Sequence, residues 1–85
     1  MYNNENEKTQ TFSFKEDRDS ETRRLLTTVY NALSENGFKP IDQIVGYIIS
    51  EDPTYITKYK NARSLICKID REELLGTLLR SYLGV

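Results

Sequence analysis

Apolar residues recur at helical spacing in three stretches of the chain, and local start and stop signals separate these stretches. The first stretch predicts a helix that begins near Asp19 or Ser20, either of which can cap free backbone N–H groups, and runs to about Asn36. Gly37 is the expected left-handed residue just beyond its end. The apolar face of this helix consists of Leu25, Leu26, Val29, Ala32 and Leu33.

A second helix is predicted to begin at Pro40, because proline suits the first turn of a helix. Gly46 lies on this helix and allows a neighbouring element to approach closely. The apolar stripe of the helix consists of Ile41, Ile44, Val45, Ile48 and Ile49. This stripe predicts that the helix is the central core helix.

The chain then changes direction in short elements. Asp52 followed by Pro53 pairs a capping residue with a helix-start proline, so we expect a short turn through Ile56. A basic irregular stretch continues to Lys60, and a third helix is predicted over roughly residues 62–69.

A capping box gives the clearest local prediction. Asp70 is followed three residues later by Glu73, and this spacing predicts a last helix from Arg71 to Leu83. Gly84 is expected to end that helix.

The N-terminal segment departs from the helical pattern. Residues 1–8 are rich in Asn and Glu, a composition that cannot offset the entropy of ordering, and we expect them to be disordered. Residues 9–14 (TQTFSF) alternate polar and apolar through Phe12 and Phe14, which is typical of a short half-buried strand. Such a strand needs a partner, either its own copy across a dimer axis or the edge of a binding protein.

The predicted fold is therefore mostly α, a compact bundle of about four short helices over residues 20–85. An acidic tail (1–8) and a short strand with a charged linker (9–19) precede the bundle. A chain of 85 residues buries only about 60% of its unfolded surface, so a lone monomer is marginally stable. We expect the apolar residues to be shared between subunits in a homodimer.

Composition points to the cytoplasm. Cys67 is the one cysteine, which excludes an intrachain disulfide and fits a reducing compartment. The N-terminus has no apolar core of a signal peptide, and no apolar run approaches the ~18 residues of a membrane span. We expect no membrane insertion.

Charge is unevenly distributed. Residues 1–22 contain six acids and three bases, whereas residues 23–85 contain nine bases and seven acids. An acidic tail on a mildly basic body argues against nucleic acid as the default partner.

Candidate catalytic and metal-binding groups are better explained by structural roles. Histidine, the commonest general base and metal ligand, is absent. Cys67 lies among apolar helical positions, which favours a buried thiol over a nucleophile. Glu72 and Glu73 point about 100° apart on a helix, and Glu51 with Asp52 fits a cap and turn. We therefore expect no enzyme activity, no cofactor and no metal site.

A basic surface is the first candidate site. It is formed by Lys58, Lys60, Arg63, Lys68 and Arg71, interleaved with Tyr55 and Tyr59. Three interpretations remain open: a solvated face, a site for an acidic or phosphorylated partner segment, which includes the chain's own tail, and a nucleic-acid surface. A small helical nucleic-acid-binding module is thus the alternative function, and strong salt dependence would be its signature.

The N-terminal hydroxyls are the second candidate site. Thr9, Thr11 and Ser13 lie where the acidic tail meets the two phenylalanines, in a segment predicted to be accessible and extended. A protein kinase requires such a segment to thread through its cleft, so these hydroxyls are candidate phosphoacceptors.

Four blocks of sequence carry a resemblance to a known family: LLTTVYNAL (25–33), NGFKPIDQIVGYIISEDPTYIT (36–57), NARSLI (61–66) and SYL (81–83). With their spacing they resemble the IreB family of small regulatory phosphoproteins from Gram-positive bacteria, over about residues 9–83. Because that family has no known catalytic motif, the resemblance implies a regulator rather than an enzyme.

The resemblance also implies partners and a modified residue. Family members are phosphorylated by a membrane-anchored Ser/Thr kinase with extracellular cell-wall-sensing repeats, which with its cognate phosphatase is the expected partner. Thr9 matches the principal acceptor position. A second acceptor position, three residues earlier, is Asn6 here and cannot accept phosphate, so Thr11 is the substitute candidate. The implied role is control of cell-envelope stress responses and antibiotic tolerance.

Overall fold

The computed structural model describes the backbone of residues 2–85 and the side chains of residues 17–85. Within that backbone every regular element is helical and no strand occurs. The elements are α1 (Tyr2–Glu35), α2 (Pro40–Ser50), a 3₁₀ turn (Pro53–Tyr55), a second 3₁₀ turn (Tyr59–Asn61), α3 (Ala62–Ile66) and α4 (Arg71–Leu83). The predicted mostly helical fold is confirmed.

The start of α1 differs from the prediction. Asp19 and Ser20 are exposed residues inside the helix rather than caps at its start, since no proline or glycine interrupts the chain before Gly37. The predicted strand over residues 9–14 falls inside the bounds of α1 and is not found. A helix satisfies its own backbone groups, whereas a lone strand has no neighbour to pair with in this chain.

Two further predictions concern the N-terminal segment, whose side chains are described only from residue 17 onward. These are the disorder of residues 1–8 and the boundaries of the segments 1–8, 9–19 and 20–85. They stay predictions.

The end of α1 follows the local signals. Gly37 has a φ of +83°, the left-handed conformation that ends a helix. The backbone N–H of Phe38 donates to the carbonyl of Leu33 at 3.0 Å, which satisfies one of the last carbonyls of α1. This turn sends the chain back so that α2, beginning at Pro40, packs against α1.

A single core lies between α1, α2, α3, the first turn of α4 and the turns that join these helices. Its fully or almost fully buried side chains are Leu25, Val29, Ala32, Leu33, Ile44, Tyr47, Ile56, Ala62, Ile66, Ile69 and Leu74. The predicted apolar face of α1 is confirmed, with Leu26 packed against the core as a partly buried residue.

The prediction that α2 is the central core helix is wrong for the single chain. Ile44 and Tyr47 are buried, but Ile41, Val45 and Ile49 are 61%, 45% and 77% exposed. In one chain α2 packs mainly against α1 and against the 3₁₀ turn that follows it, so one side of its stripe stays open.

The turn after α2 packs on it through Gly46. A Cβ at this position would lie 2.5 Å from Cδ1 of Tyr55, which confirms that Gly46 permits a close approach. Gln43 Nε2 donates to the carbonyl of Tyr55 at 2.8 Å and also holds the turn against α2. The predicted cap is also confirmed, because the carboxylate of Asp52 accepts from the backbone N–H of Thr54 at 3.0 Å.

The third helix is shorter than predicted, since it ends at Ile66 instead of continuing to Ile69. Both of these isoleucines are buried, and the chain between them turns outward. Cys67 is therefore exposed, and the prediction that it is a core or near-core thiol is wrong.

The start and end of α4 agree with the prediction. The carboxylate of Asp70 accepts from the backbone N–H of Glu73 at 3.1 Å, and Gly84, with a φ of +75°, ends the helix. The Glu73 carboxylate pairs with Arg18 of α1 at 3.4 Å. Of the described side chains of α4, Leu74 alone is buried, so this helix is held mainly at its N-terminal end.

Candidate interaction surfaces

The predicted phosphoacceptors lie before the described side chains. Thr9 and Thr11, together with Asn6, belong to residues 1–16, so their surroundings are not assigned. The structure does describe the side chains of the next part of α1, which are exposed from Asp17 to Glu21. The phosphoacceptor assignment remains a prediction from the sequence.

The predicted basic surface is a region where most charges already have partners. Residues 53–69 contain four bases, Lys58, Lys60, Arg63 and Lys68, and no acid. Their counter-ions must therefore come from other elements, and the sequence pattern did not identify them.

Lys60 pairs with the end of α1. Its Nζ lies 2.8 Å from Oε1 of Glu35, and 5.5 Å from the centre of the Tyr59 ring. The Tyr59 hydroxyl donates to the same Glu35 oxygen at 3.3 Å. The hydrogen bond from Lys60 holds the pKa of the Glu35 carboxyl below its ordinary value, and Glu35 raises the pKa of Lys60. Both side chains remain about half exposed, at 58% and 47%.

A second contact joins the end of α1 to the segment that contains Lys60. Asn36 Nδ2 donates to Oγ1 of Thr57 at 3.1 Å, and this oxygen also accepts from the backbone N–H of Tyr59 at 3.1 Å. We call residues 57–61, which follow Ile56 and lead into α3, the connector. Side chains of the connector contact Glu35, the last residue of α1, and Asn36, which follows it.

Arg71 is held at the end of α2. Its guanidinium lies 3.1 Å from Oε1 of Glu51 and donates to the carbonyl of Ile48 at 3.4 Å. Because the last carbonyls of a helix lack partners within it, a cation there is favourable. Arg63 is also engaged, since its Nε donates to the carbonyl of Ile56 at 2.8 Å.

Lys58 and Lys68 are the remaining members of the predicted surface. Both are exposed, and neither forms an ion pair with a carboxylate among residues 17–85. Three of the five cations are thus occupied by groups of the chain itself. The positive surface offered to a large polyanion is smaller than the sequence suggests.

An apolar groove is a feature that the sequence analysis missed. It has a volume of 430 Å³ and lies between α1, α2 and α4. Its lining consists of Leu26, Thr27, Tyr30, Ile41, Ile44, Val45, Ile48, Leu74 and Leu78. A smaller hollow of 230 Å³ continues it along α1 and α4 and shares Leu26, Leu74 and Leu78.

The outer face of α4 extends the apolar surface beyond the groove. Leu75, Leu79 and Leu83 are 41%, 59% and 66% exposed, and Tyr82 is 90% exposed. One signal in the sequence could have revealed this surface: apolar residues at 74, 75, 78, 79, 82 and 83 cover about half the circumference of a helix, which is wider than one neighbour can bury.

Two classes of site are not found among the described residues. From residue 17 onward, no cluster of three or more metal-ligating side chains is present. The described helices also include none that combines the length and apolar character required to cross a membrane.

The chain was compared with models of known protein families. The model of the IreB regulatory phosphoprotein family matches residues 7–84, which is nearly the whole chain. The match begins before Thr9, includes the connector and the groove, and ends after α4. It confirms the resemblance noted from the four sequence blocks.

Proposed function

The chain belongs to the IreB regulatory phosphoprotein family, and we propose from this premise that it is a non-enzymatic cytoplasmic regulator. In this proposal a membrane-anchored Ser/Thr kinase phosphorylates Thr9, and the cognate phosphatase removes the phosphate. The role of the regulator is to modulate the cell-envelope stress response and antibiotic tolerance. The observation that carries the proposal is the family match over residues 7–84, which includes Thr9 and Thr11.

Phosphorylation would act through charge. A phosphate adds about −1.5 to −2 charge and three acceptor oxygens. The segment that would receive it already has an excess of acids, six against three bases over residues 1–22. A segment with this charge is repelled by acidic surfaces and attracted by cations, so phosphorylation changes which surface it contacts.

Association into a homodimer is part of the proposal. The groove and the outer face of α4 leave several large apolar side chains exposed in one chain, among them Ile49 at 77% and Leu79 at 59%. A small monomer rarely exposes a continuous apolar surface of this kind. In a two-fold dimer, the same patch on each copy covers the other, so a groove next to an apolar ridge can be self-complementary.

Site mapping after phosphorylation tests the proposal. The full chain and its Thr9→Ala and Thr11→Ala variants would be incubated with the kinase catalytic domain, and intact mass followed by peptide mapping would locate phosphate. We expect one phosphate on Thr9 that is lost in the Thr9 variant and kept in the Thr11 variant. Absence of incorporation, or incorporation scattered over residues 17–85, would contradict it.

A second candidate function is a helical nucleic-acid-binding module. The observation that favours it is the run of four bases without an acid over residues 53–69. The ion pairs of Lys60 and Arg71 weigh against it. Affinity for an oligonucleotide that falls steeply with salt, and that is lost in Lys58→Ala and Lys68→Ala, would support this function over the first.

A further inference from the structure

The groove between α1, α2 and α4 is suited to an apolar occupant. None of the side chains that line it is charged. A charged or phosphorylated segment placed there would leave its charges without partners, which is costly. The occupant is therefore an apolar surface, and the chain itself carries one beside the groove, on the outer face of α4.

The exposed apolar surface is large enough for a stable dimer. Nine large apolar side chains of the groove, of the open side of α2 and of the outer face of α4 are 41–90% exposed. They are Tyr30, Ile41, Val45, Ile49, Leu75, Leu78, Leu79, Tyr82 and Leu83. Together they offer an area on the order of 800 Å², which is the area that each partner buries in a standard interface. A second copy of this chain is therefore sufficient to cover the surface.

Two rows of exposed side chains on this surface have the same spacing. Each row consists of three residues at intervals of four along a helix. The α2 row is Ile41, Val45 and Ile49, and the α4 row is Leu75, Leu79 and Leu83. Residues at intervals of four form a ridge, and the ridges of one helix pack into the grooves of another. Both rows are about 12 Å long, so each matches the other over its whole length.

The two rows meet only between copies of the chain. In one chain the groove separates α2 from α4, and the α4 row lies on the outer face. When two copies are related by a two-fold axis, the α4 row of each copy can lie on the α2 row of the other. This arrangement gives two identical contacts, as an isologous dimer requires.

Charges beside the two rows favour one direction of the helices. Asp42 on α2 and Arg80 on α4 are exposed, and neither forms an ion pair with a side chain of residues 17–85. Because Asp42 is near the start of α2 and Arg80 is near the end of α4, they meet when the helices are antiparallel. A parallel arrangement would instead bring Asp42 to Glu72, and two carboxylates repel each other.

We propose that the outer face of α4 of one copy lies in the groove of the second copy, antiparallel to α2, and that Asp42 pairs with Arg80 of the second copy. The proposal rests on the proposed function for the existence of the homodimer. In this arrangement each copy fills the groove of the other, and the ion pair occurs twice. At the opposite end of α2, Glu51 is already held by Arg71 of its own chain, so Asp42 decides the direction.

Charge reversal tests the ion pair. Asp42→Arg places two cations opposite each other, and Arg80→Asp places two carboxylates there. Because the pair occurs twice in the dimer, we expect each variant to raise the dissociation constant of the dimer about tenfold. The double variant, Asp42→Arg with Arg80→Asp, should return the constant to within about twofold of the wild-type value. Sedimentation at several concentrations measures all of them.

The double variant separates the interface from effects on single helices. Asp42 lies near the positive start of α2 and Arg80 near the negative end of α4, so each reversal also weakens its own helix. Losses of that kind would add up in the double variant, whereas an ion pair across the interface is restored. Glu21→Arg is the matched control, since Glu21 is exposed and lines neither the groove nor the smaller hollow. It should leave the dissociation constant unchanged.

Thiol crosslinking locates the two helices. In chains whose Cys67 is replaced by serine, Asp42→Cys and Arg80→Cys would be treated with a short bismaleimide, separately and as a mixture. We expect a covalent dimer only in the mixture, because position 42 of one copy faces position 80 of the other. A mixture of Asp42→Cys with Glu72→Cys should give none, since these positions lie at opposite ends of the contact.

The outcomes separate this proposal from the proposed function. A wild-type chain that sediments as a monomer at every concentration would overturn the homodimer, and with it the arrangement of the helices. A dimer that crosslinks through Asp42→Cys alone, or through positions 42 and 72, would overturn the arrangement only. A double reversal that dissociates as readily as the single ones would do the same. Phosphorylation of Thr9 is tested by site mapping and is independent of these results.

Discussion

Gly46 shows how one residue decides the contact between two elements. A glycine inside a helix costs about 1 kcal/mol relative to alanine, so its presence in α2 needs a reason. That reason is the Tyr55 ring, which occupies the space where a Cβ would be. Gly76 in α4 has no such constraint, because a Cβ there would meet only the guanidinium of Arg80 at 3.4 Å or more.

Replacing the two glycines by alanine should therefore have opposite effects. Gly76→Ala should raise the free energy of unfolding by about 0.5–1 kcal/mol through helix propensity. Gly46→Ala should lower it by about 1 kcal/mol, because displacing the Tyr55 ring costs more than the propensity gain. Urea denaturation of both variants measures the difference. Equal stabilisation by both substitutions would show that the ring moves aside freely.

Cys67 illustrates what a local pattern cannot decide. The sequence places it among apolar neighbours, and this favoured a buried thiol. The exposure of the residue depends on where α3 ends, and α3 ends at Ile66 because Ile69 must turn back into the core. The chain direction after Ile66, rather than the residue type, leaves the sulfur in solvent.

At the scale of elements, the beginnings and ends of helices followed local chemistry. The cap at Asp70 is an example, since the carboxylate and the N–H that it binds are three residues apart. The start of α1 is the exception. Asp19 and Ser20 have the side chains of caps, but nothing before them stops a helix, so the element continues through them.

The cap of α4 can be tested by substitution. Asp70→Ala should lower the free energy of unfolding by about 0.5–2 kcal/mol, because the N–H of Glu73 loses its acceptor. Asp70→Ser keeps an acceptor oxygen and should retain most of the stability. Chemical denaturation of the two variants gives the comparison, and an equal loss in both would indicate that the carboxylate acts by charge instead of by capping.

The two faces of α2 show the limit of periodicity. Its stripe of isoleucine and valine was correctly assigned to a helix but wrongly to a closed core. Periodicity tells which residues share a face, but it does not tell how many neighbours are present to cover that face. In one chain there are too few, and the groove is the result.

At the scale of the whole molecule, the groove leads to a prediction about association. We expect Val45→Glu to convert the proposed dimer into a 9.9 kDa monomer, because Val45 lines the groove and a buried unpaired charge is costly. Val85→Glu is the matched control, since Val85 is 85% exposed and does not line the groove. Sedimentation at several concentrations measures both.

A second groove variant protects this test against misfolding. Leu78→Glu changes the α4 side of the groove, and circular dichroism shows whether each variant keeps its helices. A wild-type chain that sediments as a monomer at every concentration would rule out the dimer.

The charges of the molecule predict how stability changes in acid. Lys60 lowers the pKa of Glu35 from its ordinary 4.5, and the backbone N–H of Thr54 lowers that of Asp52 from 3.8. Because the folded state favours the charged carboxylates, their contribution is present above these ordinary values and is lost as pH falls through the lowered ones. We therefore expect the free energy of unfolding to fall below about pH 4.5.

At alkaline pH the free energy of unfolding should fall as pH rises, the opposite direction to that in acid. Burial raises the pKa of Tyr47 above 10.0, and Glu35 raises that of Lys60 above 10.5. These contributions are complete below the ordinary values and are lost as pH rises through the raised ones. Urea denaturation from pH 3 to 11, about the accessible range, should show a plateau between the limits. Glu35→Gln should weaken both limits, and an unchanged profile in that variant would contradict the assignment.

The sequence by itself determined the helical class of this protein, most helix ends, the close approach at Gly46 and the family. These features depend on residues near one another in the chain: a glycine that takes a left-handed φ at position 37, a proline at position 40, a carboxylate three residues before its N–H. The tertiary structure alone decided which carboxylate holds Lys60, how much of α2 stays open and where Cys67 points. Those features depend on distances between residues far apart in sequence, and only the packed chain fixes such distances.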